Sequence, residues 1–184
     1  DGEIMFGLNM VVHKNKTIFV GDTSVHEYPT SEQMAEIAIS TARVVRLFGF
    51  DPKVAFVSHS TFGQPLTSRT KHIRKAVDIL KEKKVDFEFD GDMQPDVALN
   101  PEYEELYPFS KIVGKANILI MPGQHSAAIS YKMMKTLGDT KVIGPLLIGL
   151  GLPIEIAPLR SSTSELINLA SIAAYSADVI DYKK

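Results

Sequence analysis

The sequence predicts an α/β fold, a mostly parallel sheet sandwiched by helices. Three observations carry this expectation. Short β-rich runs alternate with amphipathic stretches of helical period along the whole chain. The runs are continuously apolar, as in strands covered on both faces. The turns at their C-terminal ends are rich in Gly, Ser, Pro and Asp, which reverse a chain or let it approach a ligand closely.

Residues 4–12 and 17–22 are apolar, and the polar turn His13-Lys14-Asn15-Lys16 joins them as a hairpin. Pro29-Thr30-Ser31-Glu32-Gln33 then opens a helix in which Thr30 caps and Gln33 reaches back, a capping box. Met34, Ile37, Ala38, Thr41, Val44, Val45 and Phe48 follow at helical spacing, and Gly49 ends the segment. Residues 54–57 read as a buried strand, with Ser58-His59-Ser60-Thr61-Phe62-Gly63 as its C-terminal turn. Residues 68–84 form an amphipathic helix with Ile73, Val77 and Leu80 on one face. A strand at 87–89 ends at Asp90-Gly91-Asp92, residues 96–106 are expected to be helical, and 116–121 is a second buried strand running into Pro122-Gly123. A helix over 126–137 stops at Gly138. Residues 142–150 and 154–156 are strand-like, with Gly144-Pro145 read as a turn and Gly151-Leu152-Pro153 as a bend between strands. The last helix spans 162–177, where Ser162 and Glu165 make a second capping box.

Composition narrows the functions. The 184 residues, 45% of them hydrophobic, are enough for a domain with a real core. A net charge of −2 and a pI near 6.2 leave no strong field to gather nucleic acid or anionic lipid. The lack of cysteine excludes disulfides, thiolate metal sites and thiol nucleophiles, and fits a cytoplasmic setting. No apolar run reaches the ~18 residues of a membrane helix. The chain opens Asp1-Gly2-Glu3 without methionine or a signal-peptide pattern, and is expected to be a fragment of a longer polypeptide.

The histidines at 13, 26, 59, 72 and 125 show no metal-ligand spacing, so no protein metal site is expected. Ser58, His59 and Ser60 are adjacent, which points neighbours to opposite faces, and no G-x-S-x-G elbow accompanies them, which argues against a serine hydrolase. Ser60-Thr61-Phe62-Gly63 at a strand end is either an anion cradle or an ordinary Ser/Thr turn. Gly144, Gly149 and Gly151 do not form a nucleotide fingerprint. Arg69, Lys71, Arg74, Lys75, Lys81, Lys83 and Lys84 read as the solvated face of a helix, with Arg69 and Arg74 within reach of a phosphate at the neighbouring turn. Asp90, Asp92 and Asp96 have the chemistry to hold Mg²⁺ or move protons, but turn chemistry with Asp96 as a helix cap is the expected role.

Several blocks in fixed order then carry a resemblance. They are Gly21-Asp22-Thr23, Pro29-Thr30-Ser31-Glu32-Gln33-Met34-Ala35-Glu36-Ile37-Ala38, Phe48-Gly49-Phe50-Asp51-Pro52-Lys53-Val54-Ala55 and Ser58-His59-Ser60-Thr61-Phe62-Gly63. Further on come Phe89-Asp90-Gly91-Asp92-Met93-Gln94-Pro95-Asp96, Gly114-Lys115-Ala116-Asn117-Ile118-Leu119-Ile120-Met121-Pro122, Ser130-Tyr131-Lys132 and Ile143-Gly144-Pro145-Leu146-Leu147-Ile148-Gly149-Leu150. Over most of its length the chain resembles the phosphate acetyl/butyryl transferase family. The resemblance implies an isocitrate/isopropylmalate dehydrogenase-like phosphotransacetylase lobe. Residues 1–152 would be the second α/β lobe, and 153–184 the segment returning to a first lobe that mostly precedes Asp1.

Active members carry Asp-Leu-Ser-Arg-Gly-Cys after the proline matching Pro153, then an acidic residue at the start of the last helix. Aligned without gaps, this chain puts Pro158 at the serine, Leu159 at the arginine and Glu165 at the acid. Proline offers neither hydroxyl nor N–H, and leucine cannot hold phosphate. A missing oxyanion donor alone costs ~10²–10³ in rate, so no catalytic residues are expected. A one-residue shift would bring Arg160 and Ser161 or Ser162 to those positions. Pro122-Gly123-Gln124-His125-Ser126-Ala127-Ala128 also departs from the family's Pro-Asp-Leu-Asn-x-Gly-Asn.

These departures resemble the phosphotransacetylase-like C-terminal domain of large bacterial malic enzymes. That resemblance implies an upstream malate-oxidising, decarboxylating domain using NADP or NAD with Mg or Mn, a homo-oligomer, and acetyl-CoA as the effector of this region. The alternatives are an active phosphate acyltransferase and a ligand-free oligomerisation module. The residues expected at an effector or anion site are Ser60, Thr61, Gly63, Arg69, Gly123, His125, Gly144, Arg160 and Ser161.

Overall fold

The structure is a computed structural model that describes residues 4–179. Asp1-Gly2-Glu3 and the end of the expected returning segment, 180–184, lie outside the described residues. Seven strands form one sheet: β1 (Phe6–His13), β2 (Lys16–Gly21), β3 (Lys53–Val57), β4 (Glu88–Met93), β5 (Ile118–Ile120), β6 (Thr140–Ile148) and β7 (Ile154–Glu155). The helices are α1 (Ser31–Leu47), α2 (Ser68–Lys83), α3 (Pro95–Leu99), α4 (Gln124–Leu137) and α5 (Thr163–Val179), with a 3-10 helix at Pro101–Leu106.

The strand order is β4-β3-β5-β2-β1-β6-β7. The pairs β4–β3, β3–β5 and β5–β2 are parallel. The pairs β2–β1, β1–β6 and β6–β7 are antiparallel. The sheet is therefore mixed: β2, β3, β4, β5 and β6 run in one direction, as expected of a mostly parallel sheet, and β1 and β7 run against them. The β1–β2 hairpin turns back through Lys14-Asn15, so β1 runs against β2; β6, antiparallel to β1, runs the same way as β2, and β7 is reversed again. The bend at 149–152 then returns the chain as β7.

Two apolar layers cover the sheet. On one face α1 and α2 pack with Leu169 of α5 over Phe6, Leu8, Phe19, Phe56, Ile118 and Leu146. On the other, α3 and α4 pack over Val11, Val20, Ala55, Val57 and Leu119. Neighbours such as Ala55 and Phe56 enter different cores, which explains why these runs are apolar without alternation. A fully buried side chain such as Phe56 contributes about 1.5–3 kcal/mol.

Local chemistry sets the element ends. Thr30 Oγ1 accepts the Gln33 N–H at 3.1 Å and Gln33 Oε1 accepts the Thr30 N–H at 2.8 Å, closing the expected capping box. Gly49, with φ of +82°, ends the segment. The helix expected over 96–106 breaks in two at Asn100, because Pro101 lacks an N–H and forces its predecessor out of the α region. Gln94, not Asp96, stands at the N-cap of α3, and Asp96 accepts the Tyr103 hydroxyl at 3.1 Å. Strand β4 runs through Asp90-Gly91-Asp92 instead of ending there. Gly144 is not a turn but lies inside β6, at the β1–β6 irregularity beside Asn9. A Cβ there would meet the Leu8 carbonyl oxygen at 2.7 Å.

Two features point outwards. Ile129, Met133 and Leu137 recur every fourth residue on α4 and are all more than half exposed. Helix α5 carries exposed Leu166, Ile167 and Tyr175. Among the described residues, no helix is long and apolar enough to cross a membrane.

Candidate functional site

The parallel half of the sheet creates a crevice. From β3 the chain passes to α2 on one face, and from β5 it passes to α4 on the other. Because β3 and β5 are neighbours, their C-terminal loops diverge and leave an opening between them, the place where open α/β sheets bind ligands. A cleft of about 520 Å³ occupies it. Its walls include Ser58 and His59 after β3, Pro122 and Gly123 after β5, His125 and Ser126 from α4, and Arg69 from α2.

The loop between β2 and α1 forms the rim. Asp22, only 4% exposed, fastens it. Its Oδ1 accepts the N–H groups of Gly7, Ser24 and Val25 at 3.2, 3.2 and 3.0 Å. Its Oδ2 accepts the His26 N–H at 2.7 Å and lies 2.5 Å from His26 Nδ1. The loop is thereby presented to α4: Gln124 donates its N–H to the His26 carbonyl at 3.0 Å, and Glu27 lies 3.2 Å from His125 Nε2. Gly123 permits this contact, because a Cβ would fall 2.3 Å from the Glu27 carbonyl oxygen. Tyr28, next in the loop, lies under the Arg69 guanidinium at 5.1 Å from the ring centroid.

The Ser60-Thr61-Phe62-Gly63 turn lies beside this cleft and faces inward. Asp92 is fully buried and takes the turn's donors: the Ser60 hydroxyl, and the Gly63 N–H at 3.0 Å. Arg74 Nη1 stands 3.5 Å from the same carboxylate. Thr61 Oγ1 accepts the Gln94 N–H at 3.2 Å. A carboxylate of the chain itself thus occupies the cradle expected to hold a ligand anion, and Asp92 is an internal anchor rather than a turn residue.

A second cleft, of about 350 Å³, lies between α4, β6 and the start of α5. Gly144, Pro158, Ser161 and Glu165 line it, together with Lys135, Lys141 and Asn168. Glu165 is fully engaged. Its Oε1 accepts from Lys135 Nζ at 2.8 Å. Its Oε2 accepts the Ser162 N–H at 2.8 Å and the Ser162 hydroxyl at 3.0 Å, while its own N–H donates to Ser162 Oγ at 3.3 Å. Lys135 first, and then Ser162, hold its carboxyl down to about 2. Such a carboxylate is a poor proton acceptor at neutral pH. Ser161 donates its hydroxyl to the Pro158 carbonyl at 2.7 Å. Leu159 is fully exposed, and exposed Arg160 lines neither cleft.

The expected set is therefore divided. Arg69, Gly123 and His125 meet in the first cleft. Gly144 and Ser161 meet in the second. Ser60, Thr61, Gly63 and Arg160 line neither. Sequence reasoning missed the rim residues Glu27 and Tyr28 and their anchor Asp22. The available signal was an aspartate directly after an apolar strand, followed by free N–H groups two to four residues on, the pattern of an Asx turn. Glu155 on β7 was also missed: its Oε2 is buried without a partner among the described residues, and desolvation pushes the carboxyl up to about 7. Among the described residues, no group of three or more His, Asp or Glu side chains is placed to hold a metal ion.

Residues 1–174 match the family described as Phosphate acetyl/butaryl transferase. The NADP-dependent malic enzyme of Rhizobium meliloti is 47% identical over 96% of this chain and 23% of that enzyme. The phosphate acetyltransferase of Bacillus subtilis is 33% identical over 93% of this chain and 53% of that protein. Among solved structures, a phosphotransacetylase from Streptococcus pyogenes superposes with a TM-score of 0.89 at 31% identity, covering 95% of this chain and 54% of that one. The chain thus spans about a quarter of the malic enzyme and about half of the phosphate acetyltransferase.

Proposed function

The chain belongs to the phosphate acetyl/butyryl transferase family, and on that premise we propose that it is a regulatory and assembly domain of a malic enzyme that senses acetyl-CoA without performing acyl transfer. The observation that carries this reading is the state of Glu165. At the acidic position of the family's motif stands a carboxylate tied by Lys135 and Ser162 and held down to about 2. With Pro158 and Leu159 at the neighbouring positions, the second cleft has neither the base that takes a thiol proton nor the guanidinium that holds phosphate. Binding survives changes that abolish chemistry, so a domain that has lost these groups can still serve to sense an effector.

In this reading the parent is a cytoplasmic malate oxidoreductase. Its NADP or NAD and its Mg or Mn act in a part of the polypeptide preceding this one. The exposed stripe Ile129, Met133 and Leu137 supports self-association, since exposed apolar patches mark interaction sites. The returning segment places β7 and α5 on the edge of this lobe, with an apolar outer surface for a first lobe to cover.

Ser161 inside the second cleft is the one feature that favours an active transferase. An assay of acetyl phosphate formation from acetyl-CoA and phosphate decides between the two. No turnover is expected, and turnover abolished by Ser161→Ala establishes the transferase instead. Titration of the complete protein with acetyl-CoA, read by calorimetry and by the rate of malate oxidation, tests the effector. A silent titration leaves only an oligomerisation module.

A further inference from the structure

We propose that Arg69 is the anion-reading residue of the cleft between β3 and β5, and that this cleft takes the adenosine-phosphate end of the ligand. The inference rests on the acetyl-CoA reading above, and it assigns the effector to this cleft rather than to the second one.

The first argument is where Arg69 stands. It lies in the first turn of α2, whose N-terminal end disfavours a cation, and no acidic residue shares that turn. Other cations of α2 have carboxylate partners: Arg74 with Asp92 at 3.5 Å, Lys75 with Glu32 at 2.6 Å, Lys81 with Asp78 at 3.0 Å and Lys83 with Glu36 at 2.8 Å. Among the described residues Arg69 has no carboxylate within ion-pair distance. Lys71 and Lys84 share that property, but neither lines either of the two clefts. Arg69 alone of α2's cations projects into the crevice at the switch point of the sheet. A charge placed against a local preference without compensation marks a functional position.

The second argument is how Arg69 is held. Among the described residues its one partner is the Tyr28 ring, itself 65% exposed. An exposed cation–π contact is weaker than a charge-assisted bond to phosphate. A phosphate entering the cleft draws the guanidinium from the ring, and the freed ring face is then open for an aromatic base to stack on. Ser58 and His59 line the same space, while the Ser126 hydroxyl donates to the Gly123 carbonyl at 2.8 Å. Glu27 on the rim is held by His125.

The third argument is the contrast with the second cleft. There Lys135 is already bonded to Glu165, so an anion must displace a carboxylate of the chain. Acyl-CoA carries an adenosine diphosphate, a chemistry it shares with free nucleotides.

Calorimetry on the complete protein with acetyl-CoA, ADP and pyrophosphate, each against wild type, Arg69→Ala, Arg69→Lys and Lys135→Ala, tests the assignment. Arg69 is exposed, so its replacement leaves the fold intact, which circular dichroism checks. Arg69→Ala is expected to weaken acetyl-CoA binding about 10- to 100-fold, the loss of one charge-assisted contact. Arg69→Lys recovers part of it, Lys135→Ala leaves it within about twofold, and ADP competes with the same dependence on Arg69. Unchanged affinity in Arg69→Ala, with acetyl-CoA still bound, overturns the assignment and leaves the effector standing. If wild type binds no acetyl-CoA, the effector reading falls, and the ADP arm still decides: Arg69-dependent binding keeps the cleft as a nucleotide-phosphate site, and no heat from ADP or pyrophosphate removes it.

Discussion

Lys135 of α4 and Glu165 of α5 meet at 2.8 Å and join the two helices that flank the second cleft. The pair gives the last helix an electrostatic tie in addition to its apolar contacts. Because Glu165 is held down to about 2 from an ordinary 4.5, its contribution is present above pH 4.5 and disappears as pH falls through about 2. Thermal melts between pH 6 and pH 2 should therefore show an acid-sensitive loss that Glu165→Gln flattens. Lys135→Met should raise the carboxyl toward its ordinary value in an NMR titration, because the largest cause of the depression is gone. An unmoved titration would show that Ser162 alone sets it.

Asp92 is buried beneath the Ser58–Gly63 turn, and its removal should cost more than removal of its cation. Asp92→Ala strands the buried Ser60 hydroxyl without a partner, at about 1–3 kcal/mol, and also frees the half-buried Gly63 N–H. Arg74 is 44% exposed, so Arg74→Ala leaves the carboxylate with two donors and should cost only about 0–1 kcal/mol. Urea denaturation of the two variants checks the order. An equal or reversed order would mean that the ion pair, not the hydrogen bonds, secures the turn.

Much of the fold was legible because apolar period and capping chemistry act locally. Thr30 and Gln33, Ser162 and Glu165, and the run at 54–57 each specify their element from a few residues. The Thr67–Thr70 box that starts α2 was less visible, because threonine at the fourth position is not the usual Glu or Gln. The β1–β2 hairpin was legible from its polar turn, but the place of β6 beside β1 was not, since β6 is as apolar as the parallel strands and is set there by pairing across more than 120 residues. The site failed for a related reason. Ser60, Thr61 and Gly63 have the chemistry of an anion cradle, but which anion fills it depends on Asp92, 32 residues away from Ser60 in sequence. Nothing local distinguishes a cradle for a ligand from a cradle for a side chain.

Glu155 should make the protein less stable as pH rises from mildly acidic to neutral. Desolvation raises its carboxyl from 4.5 to about 7, so the folded state holds a proton that the unfolded state releases in that interval. Stability is then greatest below pH 4.5, falls between 4.5 and about 7, and levels off above. Glu155→Gln should abolish this slope and raise the melting temperature at pH 8 more than at pH 4. A variant that melts in parallel with wild type at every pH would show that Oε2 finds a partner in solution.

Gly123 carries the last prediction, because it decides how closely the rim loop lies on α4. A methyl group there would stand 2.3 Å from the Glu27 carbonyl oxygen, closer than any real contact, and the backbone φ of +157° already disfavours a side chain. The far side of the collision is backbone of a loop held by Asp22 through the N–H groups of Ser24, Val25 and His26, so it cannot yield by a rotamer change. Gly123→Ala should therefore cost about 1–3 kcal/mol, the strain of one forbidden backbone position. It should also part the Gln124–His26 hydrogen bond. Hydrogen exchange at the Gln124 amide, with a denaturation curve beside it, measures both. A protected amide in a variant as stable as wild type would show that the loop has room to retreat.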